Sequence, residues 1–277
     1  MKISNSSLNT ALCIILLSAT YGCSSTRNTG KKNMNFSDNK VIAHRGAWKN
    51  TGAPQNSIAA LQHAIRLGCA GSEFDIRLSA DEVMIINHDA DHQSLDIEKS
   101  TYAELLNKPL LNGEKISTLE QYLRSGMNQK KTRLVAEIKP SPSGKTRSLL
   151  LAGKVVEMVK KLNASSHVVY ISFDYDIMKK VKELDPAAPV QYLNGDIPAE
   201  QLKKDGIDAD YHFSIFKTNA GWISEARQLG VVVNAWTVNN VAMMEEFLNQ
   251  GIDFITTDEP EKMIELQATR TKTSTGR

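Results

Sequence analysis

The feature that most constrains the fold of this chain is an alternation of short apolar runs with segments of helical periodicity, which begins at residue 41. The apolar runs predict strands, and the joints between them are marked mostly by Gly, Pro, Asn or Asp. We predict strands at 41–44, 72–78 with 83–87, 133–139, 167–173, 189–193, 211–216, 231–236 and 254–257. When 83–87 is counted with the run before it, the pattern gives about eight βα units.

This number of units in a chain of 277 residues predicts an α/β fold, a (β/α)8 TIM barrel in one domain with a short insertion after the second strand. A doubly wound open sheet is the structural alternative. In a barrel the active site lies at the C-terminal ends of the strands. Polar residues at those ends are therefore the first candidates for function.

The two ends of the chain differ from its body. Residues 1–22 carry one basic residue, then a short apolar stretch and small residues, which predicts a signal peptide rather than a transmembrane helix. Cys23, preceded by Gly22, resembles the lipid-modified cysteine of a bacterial lipoprotein, and ordinary secretion is the alternative. We expect export to the cell envelope, in the periplasm or outer membrane, with a polar tether at 23–40, the barrel at 41–267 and a basic tail at 268–277.

Charge and cysteine content exclude some classes of protein. The formal charge of +2 comes from the two ends, so the barrel segment is mildly acidic and a broad nucleic-acid-binding surface is not expected. Cys69 is the cysteine left in the predicted mature barrel, which leaves no disulfide framework and indicates a buried, inert thiol. The sequence does not indicate an oligomeric state.

Acidic side chains mark the ends of two predicted strands. Glu73 and Asp75 are two residues apart, as are Glu137 and Lys139, so each pair points to one side of its strand. Three carboxylates converging in a barrel mouth repel one another unless a cation joins them, and oxygen ligands favour Mg²⁺, Ca²⁺ or Mn²⁺ over zinc. The alternative is that these acids are exposed or paired with Lys and Arg.

Basic side chains and imidazoles lie at the same strand ends. Arg45 offers bidentate hydrogen bonds to phosphate oxygens, and Lys139 adds a point charge. His44 and His88, from neighbouring strands, are placed to act as general base and general acid on opposite sides of a phosphorus. This set indicates phosphodiester cleavage.

The remaining histidines have weaker claims to function. We interpret His63, His167 and His212 as structural residues, and His92, in the loop after the catalytic candidates, is left undecided.

Several ordered motifs carry a family resemblance. HRG at 44–46, SEFDIRLSADEVMIINHD at 72–89, LVAEIKP at 134–140, ISF at 171–173, NAWTVN at 234–239 and ITTDEP at 255–260 together resemble the glycerophosphodiester phosphodiesterase family. The resemblance implies a barrel that hydrolyses glycerophosphodiesters to sn-glycerol 3-phosphate and an alcohol, with bound Ca²⁺ or Mg²⁺.

The resemblance also implies a role for each matching residue. Metal binding falls on Glu73, Asp75 and Glu137, acid–base catalysis on His44 and His88, and phosphate contacts on Arg45 and Lys139. It implies an apolar wall for the glycerol at Trp236, for which the sequence alone equally allows core packing.

Two features depart from the family pattern. The family has a Pro-Glu-Asn-Thr type motif after the first strand, whereas this chain has PQNS at 54–57, so that the neutral Gln55 replaces a carboxylate and substrate handling is expected to differ there. The insertion after the His-Asp pair is also short, which predicts an open pocket.

Three other functions compete with this reading. A lysine at a barrel strand end can form a Schiff base, which would make Lys139 the nucleophile of an aldolase, although the nearby acids would raise its pKa. A lipoprotein that binds glycerophosphodiesters without cleaving them is a second alternative. The third is a phosphodiesterase that acts on intact lipids as a phospholipase C or D.

Overall fold

In the computed structural model the fold described below lies within the compact unit Asn33–Arg277. The structure describes Met1 and residues 36–275, without the side chains of 272–275. The predicted signal peptide, the predicted lipid attachment at Cys23 and most of the predicted tether lie outside the described residues.

The strands follow the predicted runs closely, with two short additions in the insertion. In chain order they are β1 (Val41–Ala43), β2 (Gly71–Leu78), β3 (Met84–Ile86), β4 (Asp91–His92), β5 (Leu95–Asp96), β6 (Arg133–Ile138), β7 (Val168–Ser172), β8 (Val190–Tyr192), β9 (Asp208–His212), β10 (Val233–Trp236) and β11 (Phe254–Thr257).

Eight parallel strands close into a barrel in the order β1, β2, β6, β7, β8, β9, β10, β11. Closure is achieved because β1 pairs with β11 on one side and with β2 on the other. β3 pairs antiparallel with β2 outside the ring, and β4 with β5 forms a separate two-stranded sheet. The predicted barrel is therefore confirmed, and the open doubly wound sheet is wrong.

Helices connect the strands around the outside of the ring. They are α1 (Ile58–Leu67), α2 (Tyr102–Leu105), α3 (Leu119–Gly126), α4 (Lys145–Lys161), α5 (Tyr175–Leu184), α6 (Ala199–Asp205), α7 (Phe213–Thr218), α8 (Trp222–Leu229), α9 (Val241–Gln250) and α10 (Pro260–Thr275). α10 extends through most of the segment 268–277 that the sequence analysis treats as a basic tail. Within the described part of the chain, no helix combines the length and the apolar character that a membrane crossing requires.

One predicted strand is partly wrong. The run at 211–216 continues as a strand only to His212, and α7 begins at Phe213. The His212 ring accepts a hydrogen bond from the Ser214 amide and caps the new helix. Tyr211, Phe213 and Ile215 alternate with polar residues as in a strand, but Phe213 and Phe216 are three residues apart, as on one face of a helix, so the sequence fits both periods.

The hydrophobic core has two parts. The larger part fills the space between the strands and the surrounding helices, and a smaller cluster inside the barrel contains Ile42, Val135, Ile171 and Leu193. Cys69 lies fully buried in the larger part, where burial raises the pKa of its thiol to about 12, in agreement with the predicted inert role. The smaller cluster supports the floor of the cavity described next.

Candidate active site

A cavity of about 430 Å³, including its open mouth, lies at the C-terminal ends of the barrel strands. It brings together most of the residues predicted from sequence, and its walls are formed by His44, Arg45, Glu73, His88, Glu137, Lys139, Ile171, Phe173, Leu193, Asp210, Trp236 and Thr256. Asp75 and Gln55 join the site through contacts with these residues.

Three carboxylates form a compact buried cluster on one side of the cavity. Glu73, Asp75 and Glu137 each offer one oxygen, and these oxygens lie within 4.8 Å of one another. The parallel register of β2 and β6 sets Asp75 beside Glu137, while Glu73 precedes Asp75 by two residues on the same face. Glu73 Oε1 is buried without a hydrogen-bond partner, so the cluster fits a hard divalent cation.

Lys139 partly balances this charge. Its Nζ lies 2.8 Å from Asp75 Oδ1 and 2.7 Å from Glu137 Oε1. Burial would raise the pKa of Asp75, but the Lys139 ammonium, together with His88 and the Asn56 hydrogen bond, outweighs burial and holds that pKa below its usual value. Burial raises the pKa of Glu73 and of Glu137, and repulsion from Asp75 adds to both rises. One ammonium is therefore not enough for three carboxylates, and a second cation is needed to keep all of them ionised.

The turn after β1 aims two groups at this cluster. Arg45 and Asn56 have left-handed backbone conformations, with φ of 54° and 61°. The Arg45 amide donates to Glu73 Oε2 at 2.7 Å, and the Asn56 side chain exchanges two hydrogen bonds with Asp75. Gly46 follows at φ 82°, where a Cβ would lie only 2.7 Å from Ala60 Cβ. The HRG motif is thus a tight turn that lets β1 and α1 approach each other closely.

The Arg45 guanidinium lies at the edge of the same cluster. Its Nη1 donates to Gln55 Oε1 at 2.7 Å, and its Nε is 3.6 Å from Asp75 Oδ2. Gln55 therefore orients the guanidinium through a neutral oxygen and leaves its charge available to an anion in the cavity.

His44 is held by a carboxylate from the last strand of the barrel. Its Nδ1 lies 2.8 Å from Asp258 Oδ1, and Asn239 Nδ2 donates to Asp258 Oδ2 at 2.8 Å. Burial would raise the pKa of Asp258, but the hydrogen bond and charge of His44, together with the Asn239 hydrogen bond and the Arg45 charge, outweigh burial and lower that pKa. Because an ionised carboxylate can only accept, His44 Nδ1 carries the hydrogen and Nε2 is left for a reacting group.

His88, which follows β3, has a more exposed arrangement than His44. Its Nδ1 lies 2.7 Å from Asp89 Oδ1, and its carbonyl oxygen accepts from Arg77 Nε at 2.8 Å. Burial lowers the pKa of the imidazole, partly offset by the charge of Asp75. In both histidines Nδ1 is hydrogen-bonded to an aspartate carboxylate. Of these two carboxylates, that of Asp258 is held in place by a further residue, Asn239.

The far wall of the cavity is aromatic and apolar. Trp236 and Phe173 meet edge to face with their ring centroids 5.4 Å apart. Trp236 Nε1 donates to the Asp210 carbonyl oxygen at 2.9 Å, which fixes the indole. Trp236 thus lines the cavity, as the resemblance implies, instead of packing only in the core.

The other histidines lie away from the reacting groups. His63 contacts the Ala47 carbonyl, His92 the Lys108 carbonyl and His167 the Gln129 carbonyl, each through a ring nitrogen. His212 packs against Trp236 and bonds to the Ser214 hydroxyl. These contacts give His92, which the sequence leaves undecided, a structural partner.

Four polar residues of the site were not assigned from sequence: Asn56, Asp210, Asn239 and Asp258. Asp258 directly follows β11 and Asn239 is three residues after β10, so their position near strand ends was a usable signal. Asn56 and Asp210 gave none, because an asparagine in a turn and an aspartate within a strand are common without any function.

The chain is similar to known proteins both in sequence and in structure. The family model described as "Glycerophosphoryl diester phosphodiesterase family" matches residues 44–262. A glycerophosphodiester phosphodiesterase from Caldanaerobacter subterraneus is 28% identical over 245 residues, which cover 82% of this chain and 96% of the relative. The crystal structure of a glycerophosphodiester phosphodiesterase from Parabacteroides distasonis matches with a TM-score of 0.82 and 41% identity, covering 85% of this chain and 99% of that one. An Oleispira antarctica phosphodiesterase, solved in complex with the product sn-glycerol-3-phosphate, has a TM-score of 0.70 and 26% identity over 83% of this chain and 96% of its own.

Proposed function

The chain belongs to the glycerophosphoryl diester phosphodiesterase family and is an enzyme that hydrolyses glycerophosphodiesters; from this premise we propose a metal-dependent mechanism in which His44 and His88 transfer the protons. The products are sn-glycerol 3-phosphate and a free alcohol. The observation that carries the proposal is the meeting, in one cavity, of three carboxylates, two cationic side chains and two carboxylate-bound imidazoles.

Glu73, Asp75 and Glu137 would hold the divalent cation, Mg²⁺ or Ca²⁺. The buried Glu73 Oε1 without a partner and the mutual repulsion of the three groups support this assignment. When bound, the ion supplies charge that stabilises the phosphoryl oxygens in the transition state. Asn56 and the Arg45 amide orient the ligand oxygens through their hydrogen bonds.

Arg45 and Lys139 bind the phosphate. Gln55 holds the Arg45 fork in place, and the Asp75 and Glu137 carboxylates hold Lys139. Burial would lower the pKa of Lys139, but these two carboxylates outweigh burial and raise it. A lysine that stays protonated binds an anion and cannot act as a Schiff-base nucleophile, so the aldolase alternative is not supported.

The two imidazoles perform the acid–base chemistry. One removes a proton from water as the water oxygen attacks phosphorus, and the other donates a proton to the alcohol oxygen as the P–O bond to it breaks. In both residues the carboxylate on Nδ1 fixes the ring and leaves Nε2 for the proton transfer. Asp258 and Asp89 are thus positioning residues.

One assay tests the proposal. The purified protein is stripped with a chelator and then supplied with Mg²⁺, Ca²⁺ or Mn²⁺ and a panel of glycerophosphodiesters and intact lysophospholipids. We expect no turnover after stripping, recovery with a divalent ion, and release of sn-glycerol 3-phosphate. Full activity after exhaustive chelation would contradict the metal assignment, and a preference for the intact lipids would support the phospholipase alternative.

We also propose that the enzyme is exported and anchored to the bacterial cell envelope through lipid on Cys23. The support is the sequence LSATYGC at 17–23 after an apolar stretch, followed by a polar segment to residue 40. Replacement Cys23→Ala should move the protein from the membrane fraction to the soluble fraction and abolish labelling by a fatty-acid probe. Unchanged membrane association in this variant would count against the anchor.

A further inference from the structure

The end of the barrel opposite the active-site cavity is rich in basic side chains. This end is formed by the N-terminal ends of the strands and by the last turns of the surrounding helices. Eight exposed cations lie in the last turns of α1, α4, α6 and α8 and in the loop between α3 and β6: Arg66, Lys130, Lys131, Lys160, Lys161, Lys203, Lys204 and Arg227. We call this set the basic face. The same segments contain one acid, Asp205, which accepts hydrogen bonds from Tyr175 and Gln201.

The charge of the basic face is not neutralised by ion pairs. Within the part of the chain that the structure describes, none of the eight cations pairs with an acid. Several lysines at the cavity end do so: Lys99 with Asp96, Lys145 with Asp176 and Lys262 with Glu259. The helix dipole favours a cation in a last turn, but Lys130 and Lys131 lie outside any helix. The dipole therefore accounts for only part of the basic face.

Other charged residues at this end leave the excess of positive charge in place. Five further acids lie there: Asp38, Glu183, Asp185, Asp208 and Asp253. Glu183 pairs with Lys180, and Asp208 and Asp253 are half-buried and accept backbone amide hydrogens. Three half-buried cations, Lys40, Arg133 and Lys182, balance most of the remaining negative charge. The exposed basic face is thus the main charged feature of this end.

The N-terminal segment joins the barrel beside the basic face. The Phe36 ring lies 4.0 Å from Arg133 Cζ, and the Ser37 amide donates to the Lys131 carbonyl oxygen at 2.8 Å. Asn39 Nδ2 donates to the Gly68 carbonyl oxygen at 2.8 Å. Residues 24–35, which link this point to Cys23, carry three cations and no acid. They span about 40 Å at most when fully extended.

We propose that the basic face lies on an anionic membrane, against phosphate headgroups such as that of phosphatidylglycerol, with the active-site cavity turned towards the water. The proposal rests on the lipid anchor proposed at Cys23. Lipid there would hold this end of the barrel within about 40 Å of the membrane. Each Lys or Arg that reaches an anionic surface then strengthens the contact by about fivefold. Substrates reach the cavity from the aqueous side, which favours deacylated diesters over lipids held in the same membrane.

The orientation is tested with the purified full-length protein in vesicles. A fluorophore is placed through Ser165→Cys, in the exposed loop before β7 at the basic end, or through Leu111→Cys, which is fully exposed in the insertion at the cavity end. Cys69 is buried and stays unlabelled. Energy transfer to acceptor-labelled headgroups reports how near each position lies to the membrane. We expect the ratio of transfer, position 165 over position 111, to be about tenfold higher with phosphatidylglycerol present than in pure phosphatidylcholine, and to fall at about 0.5 M salt.

Charge reversal shows whether the basic face causes this orientation. Lys203→Glu with Lys204→Glu should bring the ratio to within about twofold of its value in pure phosphatidylcholine. Lys108→Glu with Lys115→Glu is the matched control, because these lysines are exposed and unpaired in the described chain but lie in the insertion at the cavity end. This control should leave the ratio within about twofold of wild type. Unchanged turnover of a soluble glycerophosphodiester shows that both variants are folded.

The outcomes distinguish the basic face from the anchor. Equal ratios in the two kinds of vesicle would overturn the inference, as would equal effects of the two charge reversals, because net charge and not the face would then be responsible. Mass spectrometry shows separately whether Cys23 carries lipid. If it carries none, the anchor proposal fails, and co-sedimentation of the unlabelled protein with the two kinds of vesicle tests the face alone. Equal binding to both would then overturn this inference, while hydrolysis itself would stand.

Discussion

Replacement of Asp258 by asparagine should change the tautomer of His44 and so prevent its Nε2 from transferring a proton. Asn239 Nδ2 donates to Asp258 Oδ2, and Asn239 Oδ1 accepts from the Asp258 backbone amide. Asn239 therefore fixes Asp258 Oδ2, the outer carboxylate oxygen that faces away from His44. In Asp258→Asn the outer position must still accept, which places the new carboxamide oxygen there and turns the new NH₂ towards His44 Nδ1. That nitrogen would then have to accept, and the hydrogen would move to Nε2.

The size of the effect follows from what Nε2 does. A general acid or base contributes about 10²-fold to 10⁴-fold, and the same substitution in a serine protease triad costs about 10⁴-fold through the wrong tautomer. We therefore expect kcat to fall by about 10² to 10⁴, or roughly 3 to 5 kcal/mol in activation free energy. Steady-state turnover of glycerophosphocholine at saturating divalent ion gives kcat, and the ¹⁵N chemical shifts of the His44 ring report the tautomer directly.

Two variants serve as controls. Asp89→Asn makes the same change beside His88, but Asp89 is 74% exposed and its amide can turn over in water, so a loss of about tenfold or less is expected. Asn239→Ala in the Asp258→Asn background removes the contact that holds the new carboxamide at position 258. The carboxamide can then turn its oxygen towards His44 Nδ1, which should recover part of the activity. A kcat for Asp258→Asn within about twofold of wild type, or an unchanged His44 tautomer, would refute this reasoning.

Three further predictions concern the same cavity. His44→Ala and His88→Ala should each lower kcat by on the order of 10²-fold or more with little change in metal affinity by calorimetry, and a nitrophenyl diester should rescue only the variant that lacks the acid; near-normal kcat in either would show that imidazole to be structural. Gln55→Glu should raise KM about two- to fivefold with less change in kcat, because a carboxylate would compete with phosphate for the Arg45 guanidinium, and an unchanged KM would contradict this. Asp210 is protonated more readily in the folded state than in the unfolded state, so its stabilising contribution is present below about pH 4 and is lost as pH rises to about 7. Asp210→Asn should therefore raise Tm at pH 8, by the equivalent of a few kcal/mol at about 1.4 kcal/mol per pKa unit, and leave Tm nearly unchanged at pH 4. Thermal unfolding without substrate at both pH values checks this prediction. Equal shifts in Tm at pH 4 and pH 8 would contradict it.

The barrel could be predicted from sequence because its signals are local. Each strand is a short apolar run between turn residues, and the apolar periodicity of α1, α4, α5 and α9 is plain along the chain. The run 211–216 failed because its apolar spacing fits both periods, and only the His212 cap, a contact between side chain and backbone, decides for the helix.

The site was predictable where chemistry repeats along a strand. The two-residue spacing alone predicts that Glu73 and Asp75 share one face of their strand, and that Glu137 and Lys139 share one face of theirs. Asp258 is 214 positions from His44, and Asp210 is identified as a lone charge only by what surrounds it. Such relations depend on closure of the barrel, which brings β11 beside β1, and no local pattern encodes them.

The pairing of β2 bears on how this enzyme acquires and exchanges its ion. β2 carries two of the three carboxylates and is hydrogen-bonded to β6 along one edge and to β1 and then β3 along the other. A strand paired in this way opens only when the whole domain unfolds, so its amide hydrogens should be among the slowest to exchange with deuterium. The ligand oxygens are therefore in place before any cation arrives, unlike those of a small zinc domain that folds around its metal. Replacement of one divalent ion by another is then expected to proceed at the rate at which water enters and leaves the mouth of the barrel, without any opening of the backbone.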